Sequence, residues 1–161
     1  MSNFFDKYIN LVKANNLQEA IAIYADPIGK FYINIPEEKA NYSYAPNKWN
    51  LKDILQHVID TERIMSYRML CIARNDKNSL PGFEEKDYAY EANASSRTFS
   101  SLKEEFATLR LSTSQMIHSF TEDQLDKIGT MNGLTTKASA IGFVIHGHLL
   151  HHQQVIIEKY L

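Results

Sequence analysis

Apolar residues recur along most of this chain at intervals of three and four, the spacing of one helix face, and nowhere alternate convincingly as in a strand. Phe5, Tyr8, Ile9 and Val12 predict a short amphipathic helix over residues 3–14. Asn16 is placed to cap a second helix carrying Leu17, Ala20, Ile21 and Tyr24. Asp26-Pro27 then reads as a cap followed by proline at the first helical position, restarting a helix through Phe31 to Ile35. Residues 17–35 are therefore one kinked helix or two. Ile35 to Trp49, broken by Pro36 and Pro46 and rich in Asn and Tyr, is a connector.

Asn50 caps the clearest long helix, Leu51 to about Asn75, whose apolar face is Leu51, Ile54, Leu55, Val58, Met65, Met69 and Ile72. Glu62 falls on that same face, and His57 stands to one side of it, stacked with Thr61, Ile64 and Arg68. Residues 76–96 have no sustained apolar period and include Pro81-Gly82, so they read as a long crossover. At about 3.3 Å per residue such a segment can run the length of a helix and join two parallel ones. A third long helix is predicted over 97–120 from Leu102, Phe106, Leu109, Thr113, Met116 and Phe120. Thr121-Glu122-Asp123 begins a helical turn, 129–133 is a loop, and Thr135 or Thr136 caps a last helix through Leu161. The predicted fold is all-α: a four-helix bundle with one long crossover between its second and third helices, preceded by short N-terminal helices.

Composition changes this picture little. The 161 residues suit one domain, 1–161, with 44% hydrophobic and 22% charged residues. A net charge of −2 and no Lys/Arg run give no reason to expect nucleic acid. No apolar stretch approaches the roughly 20 residues that span a bilayer, and the first residues are too polar for a signal peptide. The lone Cys71 leaves no internal disulfide and no thiolate-rich zinc site. A cytoplasmic protein is expected.

The chemistry lies in the histidines. In the last helix Ile141, Val144, Ile145, Val155 and Ile156 form an apolar stripe, and His148 and His152 fall inside it one turn apart. They are either hydrogen-bonded core histidines or half of a metal site. His57 supplies a third imidazole from another helix, and three protein ligands with open positions is the arrangement of catalytic zinc. His151, at the shoulder of the stripe, is a fallback ligand or a donor that orients its neighbours. His146 reads as solvent-facing and His118 as incidental. Glu62 is either ion-paired with Arg110 or Arg68, or a carboxylate close to the metal, serving as an outer partner or base. Asp60 reads as exposed. Tyr88 and Tyr90, with Pro81-Gly82-Phe83, either pack the crossover onto the bundle or line a pocket mouth.

The string Lys48-Trp49-Asn50-Leu51-Lys52-Asp53-Ile54-Leu55-Gln56-His57, continued by Asp60-Thr61-Glu62-Arg63 and Tyr67-Arg68, resembles the second-helix signature of DinB-like proteins. So do Ala73-Arg74-Asn75-Asp76, Leu80-Pro81-Gly82-Phe83, Gly147-His148-Leu149-Leu150-His151-His152 and Tyr160-Leu161. The resemblance implies an up-down-down-up bundle, often homodimeric, with a divalent metal on three histidines that map to His57, His148 and His152. Zinc or nickel is expected ahead of iron or manganese. Related branches include metal-dependent hydrolases and enzymes that transfer low-molecular-weight thiols such as bacillithiol or mycothiol, among them a maleylpyruvate isomerase. The expected function is activation of a water or such a thiol for attack on a small electrophile. The alternatives are a metal or small-ligand binding module without turnover, and a purely structural dimerising bundle.

Overall fold

The computed structural model describes residues 5–161. Its elements run α1 (Asp6–Ile9), α2 (Leu17–Ile33), α3 (Leu51–Ala73), α4 (Glu85–Ala92), α5 (Phe99–His118), α6 (Glu122–Leu125), β1 (Ile128–Met131), β2 (Leu134–Lys137) and α7 (Ala138–Lys159). Three of the four long helices start on a side-chain cap. Asn16 accepts the Glu19 amide and Thr98 that of Ser101. Asn50 and Asp53 form a reciprocal capping box, which satisfies two amides left orphaned at the start of α3. Helix α7 has no side-chain cap at Lys137; it follows directly from the hairpin β1–β2.

Helix directions follow from cross-helix pairs. Arg97 bonds Gln56, Arg110 bonds Glu62 and Thr113 meets Ser66, so numbering rises together on α3 and α5 and the two are parallel. Tyr32 donates to the Leu149 carbonyl while Leu17 lies against Gly142, so α2 and α7 are parallel as well. Tyr160, just after α7, donates to the carbonyl of Trp49, just before α3, and His57 of α3 meets His148 of α7, an antiparallel pairing. The result is an up-down-down-up bundle, and residues 74–98 are the crossover that makes α3 and α5 parallel.

The core is layered. One apolar cluster takes Leu17 and Ile21 of α2, Met65, Met69 and Ile72 of α3, Ile117 of α5 and Ile141, Val144 and Ile145 of α7. The other takes Ile28 and Tyr32, Ile54, Leu55 and Val58, Leu102 and Phe106, then Leu149 and Ile156 of the same four helices. Between them, at the same level on three helices, lie the buried polar residues His57, Thr61, Glu62, Arg110, His146 and His148. Polar groups at this depth need partners or a ligand.

Several expectations are corrected. The helix expected over 3–14 is a single turn, Asp6–Ile9, with residues 3 and 4 outside the described chain; Phe5, Tyr8 and Val12 are buried nonetheless. Helix α2 runs unbroken through Pro27, which is exposed, as is Ile23, whose carbonyl loses its helical bond. The crossover carries its own helix, α4. Thr135 and Thr136 do not cap α7; they lie in β2, paired with Thr130 and Gly129 of β1. Asn132 and Gly133 turn this hairpin with φ of 49° and 72°, the left-handed pair a two-residue hairpin loop requires. Leu80 of the crossover bridges to Met131, so the hairpin also anchors the start of the crossover. Among the described residues no helix is long and apolar enough to cross a membrane.

Candidate metal centre

The capping box fixes the start of α3, and from there His57 is carried into the seam with α7. His148 and His152 lie one turn apart on α7 and face the same seam. The ring centres are 5.0 Å apart for His57 and His148, 4.9 Å for His57 and His152, and 4.5 Å for His148 and His152. One ring nitrogen of each lies within 4.8 Å of the others, the only such His/Cys/Asp/Glu group among the described residues. His57 Nε2 and His148 Nε2 are 3.1 Å apart. Two nitrogens each about 2.0–2.1 Å from one cation stand about 2.9–3.4 Å apart at octahedral to tetrahedral angles, so this spacing fits a shared ion.

Burial sets the charge state. His57 and His148 are only 4% and 5% exposed. Loss of water, reinforced by His151, pushes the His57 pKa down to about 4. Burial and the neighbouring histidines hold His148 well below its ordinary range and push His152 down to about 2. All three are neutral near pH 7, the form in which imidazole donates a lone pair to a metal. The donor set and its spacing fit a divalent cation.

Helix α1 lies across α7 at this level. A Cβ at Gly147 would collide with the Tyr8 backbone, and that close approach sets the Tyr8 ring 5.3 Å from His148 and 5.6 Å from His151. Beside the imidazoles is a cavity of about 290 Å³, lined by His57 and His148 together with Tyr8, Thr61, Met65, Arg68, Phe83 and Asn132, and by Glu84 and Glu85. His152 faces a second hollow, with Trp49, Lys86 and Tyr160.

The other sequence candidates separate clearly. Glu62, 2% exposed, is bonded by Arg110 at 2.8 Å and does not line the cavity, the ion-pair arrangement with Arg110 rather than Arg68. His151 is half-buried, its ring 5.1 Å from that of His152. His146 is not solvent-facing: it is fully buried, its Nδ1 2.9 Å from the Gly142 carbonyl and its Nε2 3.5 Å from Arg110. Helix α7 is enclosed by α1, α2 and α3, so from Ile141 to Leu149 nearly all of its circumference is interior. His118 is exposed and hydrogen-bonded to the Ser114 carbonyl. Asp60 is half-buried and accepts a bond from Gln56. Tyr90 is 82% exposed, whereas Phe83 packs on Tyr88 and under the Arg68 guanidinium. Thr61, Arg68 and Asn132 also border the cavity, beyond the residues the sequence pattern marks as its chemistry. The first two were visible in the sequence, one and three turns beyond His57 on its own face; Asn132 reaches the cavity only through the hairpin.

This fold and site define a class, and comparison with known proteins agrees. The family model of the DinB superfamily matches residues 31–156, and the chain belongs to that superfamily. A protein of Oceanobacillus iheyensis, provisionally named a metal-dependent hydrolase, is 20% identical over 136 residues, 81% of this chain and 78% of its own. Among solved structures, YfiT from Bacillus subtilis, described as a probable metal-dependent hydrolase with an unusual four-helix bundle topology, aligns with a TM-score of 0.69. The alignment covers 98% of this chain and 87% of YfiT at 14% identity, a likeness of fold.

Proposed function

We propose that the chain is a metal-dependent enzyme in which His57, His148 and His152 hold a divalent cation, zinc or nickel first, and a small electrophile enters the adjoining cavity. The convergence of three neutral imidazoles from two helices, with His57 and His148 on the wall of that cavity, carries the reading. A divalent cation bound by neutral ligands keeps its full charge and lowers the pKa of a coordinated water or thiol toward neutrality. The names of the similar proteins point the same way.

The residues around the site bear on which nucleophile is used. Glu62 is engaged by Arg110, and the carboxylates that do line the cavity, Glu84 and Glu85, are exposed. No buried carboxylate among the described residues borders the cavity as a general base. The nucleophile must then ionise with little help, and a thiol, with an ordinary pKa near 8.5, needs far less help than water. Transfer of a low-molecular-weight thiol is therefore our first reading, and hydrolysis the second. Thr61, Met65 and Phe83 would enclose the electrophile, and Tyr8 covers the rings of His148 and His151.

The test begins with elemental analysis of the purified full chain, then reconstitution with zinc, nickel, iron or manganese and assay with thiol and ester substrates. One metal per chain is expected. His57→Ala and His148→Ala should each weaken metal binding by more than about a hundredfold, beyond what loss of an outer partner costs, and abolish turnover. Undiminished activity in the doubly substituted protein would reject the proposal.

A further inference from the structure

Arg68 is a buried cation with no anion beside it among the described residues. It is 4% exposed, as deeply placed as Arg110, but Arg110 has Glu62 and Arg68 has no carboxylate within ion-pair distance among the described residues. Its Nη2 donates to the Pro81 carbonyl at 2.6 Å, its Nη1 meets the Met65 sulfur at 3.7 Å, and its face lies over the Phe83 ring. One neutral carbonyl and one thioether do not compensate a desolvated guanidinium with five donors. Thr61 is the second anomaly. It is 5% exposed and its hydroxyl has no hydrogen-bond partner among the described residues, although a helical threonine can ordinarily bond back to the carbonyl four residues earlier. Both side chains line the cavity that holds His57 and His148.

We propose that Arg68 and Thr61 are the substrate-anchoring end of this cavity, and that the substrate is a small molecule carrying a carboxylate two helical turns from its reacting atom. The inference rests on reading the three imidazoles as the reacting end. His57, Thr61, Met65 and Arg68 mark successive turns along α3, and the guanidinium folds back to the level of Met65. Eight residues of helix separate that level from His57, about 12 Å. An extended chain of seven or so atoms bridges it, with its carboxylate on Arg68 and the Thr61 hydroxyl available to donate midway. Glu84 and Glu85 are exposed, where water and salt screen them, so they do not outweigh the buried guanidinium for a singly charged group. They do disfavour a phosphate dianion, which a single guanidinium would leave half-neutralised.

The probes are 6-mercaptohexanoate, 6-mercapto-1-hexanol and 6-mercaptohexyl phosphate, titrated calorimetrically into the zinc-loaded full chain with zinc content measured on every sample. The acid should bind about tenfold or more tighter than the alcohol, the worth of one charge-assisted pair, and tighter than the phosphate. In Arg68→Gln the gap between acid and alcohol should shrink to within about threefold at unchanged zinc content, and Arg68→Lys should keep part of it. Equal affinity of acid and alcohol for the unsubstituted protein overturns the inference and leaves the metal site standing. So does a gap that both variants preserve in full, and tighter binding of the phosphate overturns the assignment to a carboxylate. The unsubstituted comparison holds even if loss of the Pro81 bond unfolds Arg68→Gln. Protein that retains no zinc refutes the reading of the imidazoles instead. The same acid and alcohol titrated into metal-free protein then judge Arg68 alone.

Discussion

Glu62 and Arg110 stand 2% and 6% exposed in the polar layer between the two apolar clusters, and their single 2.8 Å contact leaves Glu62 Oε2 and Arg110 Nε without partners among the described residues. A buried pair of this kind contributes little beyond a well-packed apolar pair, yet removing one member strands the other charge. Glu62→Gln should therefore lower stability by about 3–5 kcal/mol, read from denaturant melts, while metal stoichiometry is unchanged. Substituting both residues, Glu62→Leu with Arg110→Met, should recover most of that loss, and the coupling in the double-mutant cycle gives the pair's own term. Loss of metal in Glu62→Gln would instead assign the carboxylate to the metal centre. At this scale the sequence was legible where a residue violated its surroundings. A carboxylate amid Val58, Met65 and Met69, or two imidazoles amid Val144, Ile145 and Ile156, stand out without coordinates. His146 violated nothing, because the helical wheel assumed an open face on α7 that does not exist. Arg68 and Thr61 were seen stacked beyond His57, but their meaning lies in the partners they lack.

At the scale of elements, what could be read were those whose signals are local. Asn50 and Asn16 are caps whose chemistry is complete within four residues, and each begins a helix as that chemistry dictates; Thr98, which caps α5, carries the same signal although the apolar spacing alone places that helix start at residue 97. The hairpin was not legible as alternation. Its strands are four residues each, Ile-Gly-Thr-Met and Leu-Thr-Thr-Lys, too short and too mixed for a period of two, and only Asn132-Gly133 signalled it. Helix α4 escaped for a similar reason: it buries no residue, so no apolar stripe marks it. Helix α1 packs on α7 through a close approach that no periodicity encodes, the Tyr8 backbone lying against the bare α-carbon of Gly147. Gly147→Ala places a methyl group against backbone that cannot rotate away. It should lower stability by about 1–3 kcal/mol, as overpacking does, and expose the segment ahead of α2 to limited proteolysis. A variant that melts and resists protease like the parent would show that α1 is not seated by that approach.

Taken whole, the bundle confines four imidazoles, of His57, His146, His148 and His152, where water is largely excluded. Burial lowers every one of them: His57 and His146 to about 4, His152 to about 2, and His148 well below its ordinary value. Unfolded, each would titrate near 6.5. Between about pH 6.5 and pH 4 the unfolded chain thus binds protons that the folded chain refuses, so stability rises with pH across that window and falls on acidification. Each histidine contributes up to about 1.4 kcal/mol per pH unit there, so the metal-free protein should lose melting temperature steeply from pH 7 to pH 5. A bound cation acts in the same sense, because it too requires neutral imidazoles and stabilises only the folded chain. Loading with zinc at pH 7 should raise the melting temperature, chelator should reverse the rise, and the gain should shrink as the pH falls and protons displace the metal. Melts of metal-free and loaded protein from pH 4 to pH 8 measure both effects. A melting temperature that stays level between pH 7 and pH 5 without metal would mean that water reaches these rings after all, and with it the physical basis for a neutral, metal-ready triad would be gone.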